Sequence, residues 1–532
     1  MTAGRRRSRF LARLAWTLVV LATGGLVARA LVAERQTVDD VFIFLRYARE
    51  LATRGQYAFG AAPSGVRVEG TSSVAWTLAL ALVWRAGAHG LGAAKALSLG
   101  TAALVPVGCA LAVRRAVPGR PWAMAVPALA LALDSDLATW AASGMDTALF
   151  ALACVVCVAL AAAGRERACA LALGGLAWVR PEGPLFALLG VLALARDRRA
   201  AVRLGLVAAA PLVALTLARL AFFHDVVPNT FWAKMNAPDG RDYTGLGYVL
   251  SALGRRPLLL LVLPLASWRV GRSLPALRVA LALLLAAFVF ALVAGGDWMP
   301  GRRLLVVALP LGAVAAAIGL ARVRARVLAA ATVAALVAEA ALTCDHAIDQ
   351  DWRRAEWLDE RVASWRPAAR PFVEAYPLDW MPTHLLREIA PYVRPGDVVA
   401  HVDVGELPYV MSDVEFLDGF GLVDRDAGRL AFSPGDPALR SAAREAFFAS
   451  RPVVAIVVLD DSNGRPWSPA QDAALEDPRF ARGWRELARV PTWGGHPCVT
   501  YVRRDLTPAS RGDAEAREHA WLAAVPDVVP AR

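Results

Sequence analysis

The chain has 532 residues, 57% of them hydrophobic, and a mean hydropathy of +0.44. Over this length, such a composition excludes an ordinary water-soluble protein. The formal net charge of +12 does not indicate a nucleic-acid partner, because the arginines lie mainly at the ends of apolar runs, where anionic lipid headgroups attract them.

Apolar runs follow one another from Leu11 to Leu342 and are separated by short segments that contain arginine. A hydrocarbon layer of about 30 Å needs about 20 apolar residues, so these runs predict a polytopic α-helical membrane protein with about eleven transmembrane helices. Cationic turns on the cytoplasmic side place the N-terminus inside and the C-terminal part outside. After the first helix, the predicted spans are 92–113, 121–137, 145–163, 168–179, 184–195, 204–222, 258–267, 279–293, 304–320 and 327–343.

The apolar segment 74–84 is predicted not to cross the membrane. If it did, the arginines after the next apolar run, Arg114, Arg115 and Arg120, would lie outside, against the positive-inside rule. We therefore expect an interfacial or re-entrant helix at the outer surface. Four other arginines fall on the outer side and contradict the rule locally: Arg255, Arg256, Arg302 and Arg303.

The membrane pattern stops near residue 343, and 344–532 is predicted to form one extracytoplasmic α/β domain. Buried strands are expected at 397–403 and 452–459, with a helix at 437–449. Polar residues follow the first of these strands, namely Asp403, Gly405 and Glu406. They are candidates for contacts with a ligand, and ordinary turn chemistry explains them as well.

Charged residues that membrane helices rarely contain collect on the outer side in this topology. Because charged groups at membrane depth are costly, their collection predicts a functional site. For any single residue, contact of a loop with water is the alternative. The set comprises Asp39, Asp40, Arg46, Glu69, Asp134, Asp136, Asp146, Arg180, Glu182, residues 224–234 and residues 297–303.

Asp39 and Asp40 begin an amphipathic segment just beyond the first span. Glycosyl transfer from a lipid phosphate needs a base for the acceptor hydroxyl, and a carboxylate at the membrane surface suits that role. The leaving phosphate needs cations or a divalent ion. The alternative is structural, since Thr37 or Asp39 could cap the helix without any part in catalysis.

Five motifs, in order along the chain, resemble those of one enzyme family. The first lies within 39–77 and contains both aspartates. The others are Ser-Gly-Met-Asp-Thr at 143–147, Arg-Pro-Glu-Gly at 180–183, Val-Pro-Asn-Thr-Phe-Trp-Ala-Lys at 227–234 and Gly-Gly-Asp-Trp-Met-Pro-Gly-Arg-Arg at 295–303. Together they are similar to the motifs of GT-C glycosyltransferases, in particular terminal arabinofuranosyltransferases of actinobacterial cell walls. Two departures, Met145-Asp146 for Leu-Glu and Trp232 for Tyr, bear first on the identity of the sugar.

The resemblance implies roles for individual residues. Asp39 is the expected catalytic base, and Asp40 supports it or helps to hold a divalent cation, the one candidate cofactor. The donor phosphate is assigned to four cations: Arg46, Lys234, Arg302 and Arg303. Sugar binding or orientation is assigned to Glu69, Asn229, Asp297, Asp146, Arg180 and Glu182.

The expected function is transfer of a sugar, with arabinofuranose as the candidate, from a polyprenyl-phosphate donor to a cell-envelope glycan or lipid acceptor during cell wall biogenesis. The reaction is placed on the outer face of a bacterial cytoplasmic membrane. Residues 1–343 form the GT-C-like catalytic domain, with its first outer loop at 33–91. The alternatives are a transporter or flippase of lipid-linked sugars and a non-catalytic accessory protein with the same fold.

The cysteines divide between the two predicted domains. Cys154 and Cys157 lie within an apolar helix, where thiols are ordinary packing residues. Cys344 and Cys498 are predicted to lie in the oxidising exterior, where two thiols can pair.

Overall fold

The structure is a computed structural model that describes residues 3–33, 37–60, 67–235, 245–297, 299, 301–342, 382–459, 464–491 and 497–525. Its first helices are α1 (Ala3–Val32), α2 (Asp40–Arg54), α3 (Val74–Arg85), α4 (Gly90–Ala116), α5 (Ala125–Leu131), α6 (Ser135–Ala142), α7 (Thr147–Ala162), α8 (Glu166–Val179), α9 (Gly183–Leu194) and α10 (Arg198–Phe223). They are followed by α11 (Asn229–Met235), α12 (Gly245–Arg255), α13 (Leu263–Gly271), α14 (Pro275–Val293), α15 (Ala308–Leu320) and α16 (Arg326–Leu342).

The C-terminal part alternates strands and helices. Its elements are α17 (Pro382–Ile389), β1 (Val398–His401), α18 (Glu406–Val410), β2 (Glu415–Asp418), α19 (Arg425–Phe432), α20 (Pro437–Ser450), β3 (Val454–Val458), α21 (Pro469–Leu475), α22 (Pro478–Gly483), β4 (Trp484–Pro491), β5 (Pro497–Arg503) and α23 (Arg511–Ala523). Short 3₁₀ turns occur at Pro121–Met124 and Arg303–Leu305, and a π-helical turn occurs at Leu258–Val262.

The described helices confirm a multi-pass membrane protein but not the predicted number of spans. Five segments are long and apolar enough to cross a membrane: Arg9–Val32, Gly90–Ala116, Arg198–Phe223, Pro275–Val293 and Arg303–Leu320. Two bent pairs raise the number to seven at most: Ser135–Ala142 with Thr147–Ala162, and Gly245–Arg255 with Leu258–Arg269. The figure of eleven is therefore not confirmed.

Helix length explains the difference. Several predicted spans form helices of 10 to 17 residues, among them Pro121–Leu131 and Gly183–Leu194. At 1.5 Å per residue, a 12-residue helix is about 18 Å long, well short of a hydrocarbon layer of about 30 Å. The same length argument applies to Val74–Arg85, the segment for which no crossing was predicted.

The chain divides into two compact units built from non-consecutive segments. The bundle unit contains Met1–Gln36, Lys95–Leu215 and Arg241–Ala375, and the sheet unit contains Thr37–Ala94, Thr216–Gly240 and Tyr376–Arg532. The predicted domain boundary near residue 344 stays a prediction about sequence segments. Cys344 lies outside the described residues, whereas Cys498 is buried in β5.

Helices in the bundle unit approach one another closely at positions where the residue is glycine. A Cβ atom on Gly174 of α8 would lie 1.9 Å from the carbonyl oxygen of Ala208 on α10. A Cβ atom on Gly245 would lie 2.1 Å from the carbonyl oxygen of Leu292. In a bilayer, helix association depends on such backbone approach, because lipid is as apolar as the helix surfaces.

A five-stranded sheet in the order β2-β1-β3-β5-β4 forms the centre of the C-terminal part, and the predicted α/β domain is thus confirmed. The strand β1 pairs in parallel with β2 and β3, whereas β5 is antiparallel to β3 and β4. Every residue of β3 is buried, as expected for the continuous apolar run Val-Ala-Ile-Val-Val at the middle of a sheet. Phe447 and Phe480 pack against the sheet residues Ala400, Ala455 and Trp484.

Gly174→Ala is expected to destabilise the bundle unit, because the added methyl group meets backbone atoms that cannot rotate away. Overpacking costs about 1–3 kcal/mol, which lowers the Tm of the detergent-solubilised protein by several degrees. The adjacent Gly175→Ala is the matched control, since a Cβ atom there has no described atom within 4 Å. Equal Tm values for the two variants would contradict the close helix contact.

Candidate active site

The predicted site residues come together in two groups, one in each unit. The sheet unit contains Asp39, Asp40, Arg46, Glu69, Asn229 and Lys234. The bundle unit contains Asp146, Arg180, Glu182, Asp297, Arg302 and Arg303.

Asp39 stands directly before α2, at the position of its N-cap. Within the described segment 37–60, however, its carboxylate makes no capping hydrogen bond to that helix. Instead, Asp39 Oδ1 accepts a hydrogen bond of 2.8 Å from the backbone N–H of Glu406, at the start of α18. The capping alternative therefore does not account for this side chain, which the fold directs to a segment more than three hundred residues further along the chain.

Asp39 lies among further carboxylates. The surrounding protein and the negative charges of Asp403 and Asp40 raise the pKa of Asp39 to about 7. Poor solvation by the surrounding protein also raises the pKa of Asp403 to about 6 and that of Glu406 to about 8. Asp39 and Asp403 keep solvent access, so water offsets part of these effects. The arrangement gives an accessible carboxylate whose proton affinity lies near neutrality, as a general base requires.

Lys234 supplies a positive charge next to this cluster. Its Nζ atom lies 3.5 Å from Asp40 Oδ2, and the lysine side chain remains 42% exposed. An exposed ammonium group can exchange its contact with a carboxylate for one with an incoming anion. Among the four predicted phosphate ligands, Lys234 is the one whose side chain the structure leaves most accessible.

Arg46 is only 5% exposed and binds within the protein. Its Nε atom donates to the carbonyl oxygen of Phe59 at 2.5 Å, and another guanidinium nitrogen donates to the carbonyl oxygen of Pro408. The guanidinium also lies over the Phe59 ring. These contacts join α2 to α18 and to the segment around Phe59, so the structure gives Arg46 a structural role. Its predicted contact with a donor phosphate stays untested.

Tyr47, the next residue on α2, is fully buried and fixes the following loop. Its hydroxyl donates to the carbonyl oxygen of Val68 at 2.6 Å and accepts the N–H of Gly70 at 2.9 Å. Tyr57 and Phe59 pack against its ring. The first-loop motif is thus in part a packing motif around one tyrosine.

Glu69 and Asn229 are both buried and hydrogen-bonded within the sheet unit. Arg219 donates to both carboxylate oxygens of Glu69, at 2.7 and 2.9 Å. The Nδ2 atom of Asn229 donates to the carbonyl oxygens of Gly421 and Asp424 at 2.6 and 2.8 Å. These contacts orient the loops around α11, whereas the predicted contacts with sugar hydroxyls stay untested.

A contact between an arginine and an aromatic ring joins α11 to α19 in the sheet unit. The Arg429 guanidinium lies 3.7 Å from the centre of the Trp232 ring and also pairs with Asp225 at 2.6 Å. Trp232 therefore packs against α19. Neither Arg219 nor Arg429 was predicted as part of the site, because each belongs to a segment whose partner lies far away in the sequence.

In the bundle unit, the motifs at 143–147 and 180–183 meet through ion pairs. Arg180 Nε lies 2.6 Å from Glu182 Oε1, and another nitrogen of Arg180 lies 3.3 Å from Asp146 Oδ1. All three side chains are nearly inaccessible to solvent. A buried guanidinium with two carboxylates fixes the ends of α7 and α9 relative to each other.

Arginines within the motif at 295–303 and at position 256 also form ion pairs with acidic residues of the bundle unit. The pairs are Arg303 with Asp297 at 2.7 Å, Arg302 with Asp136 at 3.7 Å and Arg256 with Asp134 at 2.6 Å. Arg302 adopts a left-handed backbone conformation with φ of 45°. Three of the arginines that contradicted the positive-inside rule thus take part in folding. The residues at 298 and 300 lie outside the described part of the chain.

Some carboxylate oxygens in this group have no described hydrogen-bond partner. They are Asp136 Oδ1, Asp146 Oδ2 and Glu182 Oε2, all buried. Ionised carboxylate oxygens only accept hydrogen bonds, so each can take a hydroxyl or a water molecule. This is the chemistry that the sequence assigned to sugar recognition.

Among the described residues, no group of three or more His, Cys, Asp or Glu side chains is arranged to hold a metal ion. Divalent cations such as Ca²⁺ and Mg²⁺ take six or more oxygen ligands, some of them from water or substrate. One oxygen of Asp39 is already engaged by the Glu406 N–H. The pair Asp39 and Asp40 therefore gives no complete cradle for a resident ion.

Residues 378–507 match a family model described as a domain of unknown function (DUF8728). A search of curated protein sequences finds no significant match. The structure is similar to ArnT from Cupriavidus metallidurans bound to undecaprenyl phosphate, with a TM-score of 0.52 and 14% identity over 94% of this chain and 98% of ArnT. The apo structure of ArnT gives a TM-score of 0.53 at 14% identity, over 92% of this chain and 98% of ArnT.

An oligosaccharyltransferase from Archaeoglobus fulgidus reaches a TM-score of only 0.42, at 12% identity over 81% of this chain and 67% of that one. At 14% identity the likeness to ArnT concerns the fold alone. The chain is therefore a multi-pass membrane protein whose fold resembles that of ArnT.

Proposed function

We propose that the chain is a membrane glycosyltransferase that moves a sugar from a polyprenyl-phosphate donor to an acceptor hydroxyl on the outer face of the bacterial cytoplasmic membrane. The observation that carries the proposal is the accessible carboxylate of Asp39, held by a backbone N–H and not engaged in capping its own helix. A protein of the same fold binds undecaprenyl phosphate, which supports a polyprenyl-phosphate carrier.

Asp39 is the proposed general base. As the acceptor oxygen forms its bond to the anomeric carbon, its proton passes to the Asp39 carboxylate, and the bond between that carbon and the phosphate oxygen breaks. The electron pair of the broken bond remains with the polyprenyl phosphate. A base whose pKa lies near the working pH is most effective in such a transfer, and the surroundings of Asp39 raise its pKa in that direction.

Lys234 is the proposed partner of the donor phosphate. Its exposed ammonium group lies beside Asp40, so it can meet a phosphate without leaving the neighbourhood of the base. Negative charge grows on the leaving phosphate as its bond to the sugar breaks, and a nearby cation stabilises that charge. Arg302 and Arg303 are the further candidates for this role, although both already pair with acidic residues.

The unpaired carboxylate oxygens of the bundle unit are the proposed acceptors for hydroxyl groups of the sugar. Asp146 and Glu182 each have one such oxygen, and Arg180 fixes both side chains by their other oxygens. A polyhydroxylated ring donates several hydrogen bonds, which satisfy buried acceptors. The proposal of arabinofuranose and of a cell-envelope acceptor rests on the sequence resemblance.

A transporter of lipid-linked sugars is the second candidate function, since the polar groups buried in the bundle unit also suit a passage for a polar headgroup. The two functions are separated by purified protein in detergent, where no membrane exists to be crossed. Formation of a glycosylated acceptor from a synthetic polyprenyl-phosphate sugar supports the enzyme. In a second assay the protein is reconstituted into lipid vesicles. Movement of the donor across the vesicle membrane without product formation supports the transporter.

Asp39→Asn is expected to lower the transfer rate by about two to four orders of magnitude, because the amide keeps the shape of the side chain but cannot take a proton. The measurement is single-turnover transfer with radiolabelled donor. Asp397→Asn, which changes a partly exposed carboxylate in the turn before β1, is the matched control and should leave the rate unchanged. Parental activity in the Asp39 variant would exclude a general-base role.

The pH profile of transfer should show an acid limb near pH 7. A base is active when deprotonated, so raising its pKa moves the limb upward from the usual carboxylate range near 4. Below the limb the rate should fall about tenfold per pH unit, and above it the rate should be flat. Protein held at each pH and then assayed at neutrality controls for unfolding. A limb near pH 4 would show an ordinary, well-solvated carboxylate.

Lys234→Met is expected to reduce kcat/KM for the lipid donor by about tenfold to a hundredfold, the range for loss of a hydrogen bond to a charged group. Lys234→Arg should recover most of the activity, since it restores the positive charge. Donor concentration is varied at fixed acceptor. If methionine and arginine variants lose activity equally, the contribution of Lys234 is one of shape and not of charge.

A further inference from the structure

The loop 402–405 joins β1 to α18 and lies directly against Asp39. Glu406, the first residue of α18, donates its N–H to the Asp39 carboxylate at 2.8 Å. A Cβ atom on Gly405 would lie 2.1 Å from Asp39 Oδ2 and 2.3 Å from the Asp39 carbonyl oxygen. No side chain fits at those distances, so the approach of the loop to Asp39 requires glycine at this position.

Gly405 does not adopt the left-handed backbone conformation for which glycine is usually needed, since its φ is −88°. What the structure shows at this position is contact, because the carboxylate and the carbonyl group of Asp39 occupy the space of the missing Cβ atom. The glycine therefore leaves room for the neighbouring aspartate.

His401 holds the same loop from the inner side. Its Nδ1 atom accepts the backbone N–H groups of Val402 at 2.8 Å and Asp403 at 3.2 Å. Burial lowers the pKa of His401 to about 3, so the ring stays neutral and keeps this nitrogen as an acceptor. The loop is thereby anchored to the end of β1.

The helix that follows the loop is also joined to the helix that follows Asp39. Arg46 on α2 donates to the carbonyl oxygen of Pro408 on α18, and Arg49 donates to that of Tyr409 at 3.4 Å. The rings of Phe42 and Tyr409 lie 5.5 Å apart. With α2 and α18 packed in this way, the distance between Asp39 and the loop is fixed.

We propose that loop 402–405 and the Glu406 N–H form a positioning element for the Asp39 carboxylate, so that the C-terminal segment completes the catalytic centre of the first outer loop. The proposal rests on the proposed role of Asp39 as a base. Gly405 and Glu406 act through Asp39, and they set the direction in which its carboxylate points. A carboxylate displaced by even about 1 Å can lose a hundredfold in rate.

Asp403 gives the element an electrostatic part. Asp403 is exposed, and its negative charge opposes the ionisation of Asp39. The negative charge of Asp40 in turn opposes the ionisation of Asp403. The groups around Asp39 are thus the acidic side chains of Asp40, Asp403 and Glu406, with Lys234 paired to Asp40. Removal of the charge on Asp403 eases ionisation of Asp39.

Gly405→Ala tests the steric part in the full-length protein. We expect kcat to fall about tenfold to a hundredfold, with KM for a synthetic polyprenyl-phosphate sugar within about twofold of the parent, because binding groups stay in place while the base moves. Gly435→Ala is the matched control, since a Cβ atom there has no described atom within 4 Å. Parental kcat for Gly405→Ala would overturn the proposal.

Asp403→Asn tests the electrostatic part and concerns an exposed side chain, so folding is not at risk. The acid limb of the pH profile should move to lower pH by about one unit, the usual effect of one nearby charge. An unmoved limb overturns the electrostatic part, and parental kcat in Gly405→Ala overturns the positioning element, even when Asp39→Asn is inactive. An active Asp39→Asn variant instead overturns the proposed function itself.

Discussion

The contact of α2 with the segment that follows β1 is the constraint on which the site depends. Arg46 is buried, and its guanidinium is satisfied by carbonyl groups of Phe59 and Pro408. A buried cation is tolerated only when its donors are paired, so this side chain forces the two segments together. Asp39 and Glu406 then meet at hydrogen-bond distance as a consequence. The sheet unit is in this sense assembled around one arginine.

Ion pairs dominate the bundle unit in the same way. Arg180, Arg256 and Arg303 each pair with a carboxylate within 2.7 Å, and all lie in loops between apolar helices. Such pairs contribute little net stability after desolvation, but breaking one leaves a buried charge alone at a cost of about 3–5 kcal/mol. They therefore select one arrangement of the loops. Within the described residues, one oxygen each of Asp136, Asp146 and Glu182 has no hydrogen-bond partner in this network.

The matched domain of unknown function at 378–507 gains a physical role from these contacts. Its loop 402–405 and the start of α18 lie against the first-loop carboxylate, while its segment 421–424 accepts hydrogen bonds from Asn229. Segments of the first loop and of the region around α11 belong to the same compact unit as this domain.

Sequence alone determined that this is a membrane protein, because composition and the length of apolar runs show directly whether a chain lies in lipid or in water. It also predicted β1, β3 and α20 closely, since buried strands and amphipathic helices leave periodic patterns in a single segment. The five motifs indicated Asp39 as the central residue. These results share a cause, as each depends on residues that are neighbours in the chain.

Tertiary structure decided the rest. The predicted eleven spans are not confirmed, because Gly183–Leu194 and similar helices have only 10 to 17 residues, which an apolar run does not reveal. The contacts of Arg46 and Glu69 within the protein were not predicted, because their partners, the Pro408 carbonyl group and the Arg219 side chain, lie 362 and 150 residues away. Gly405 resembled a turn glycine until its missing Cβ was seen to be occupied by Asp39. Contacts between distant segments follow from packing, and no local pattern records them.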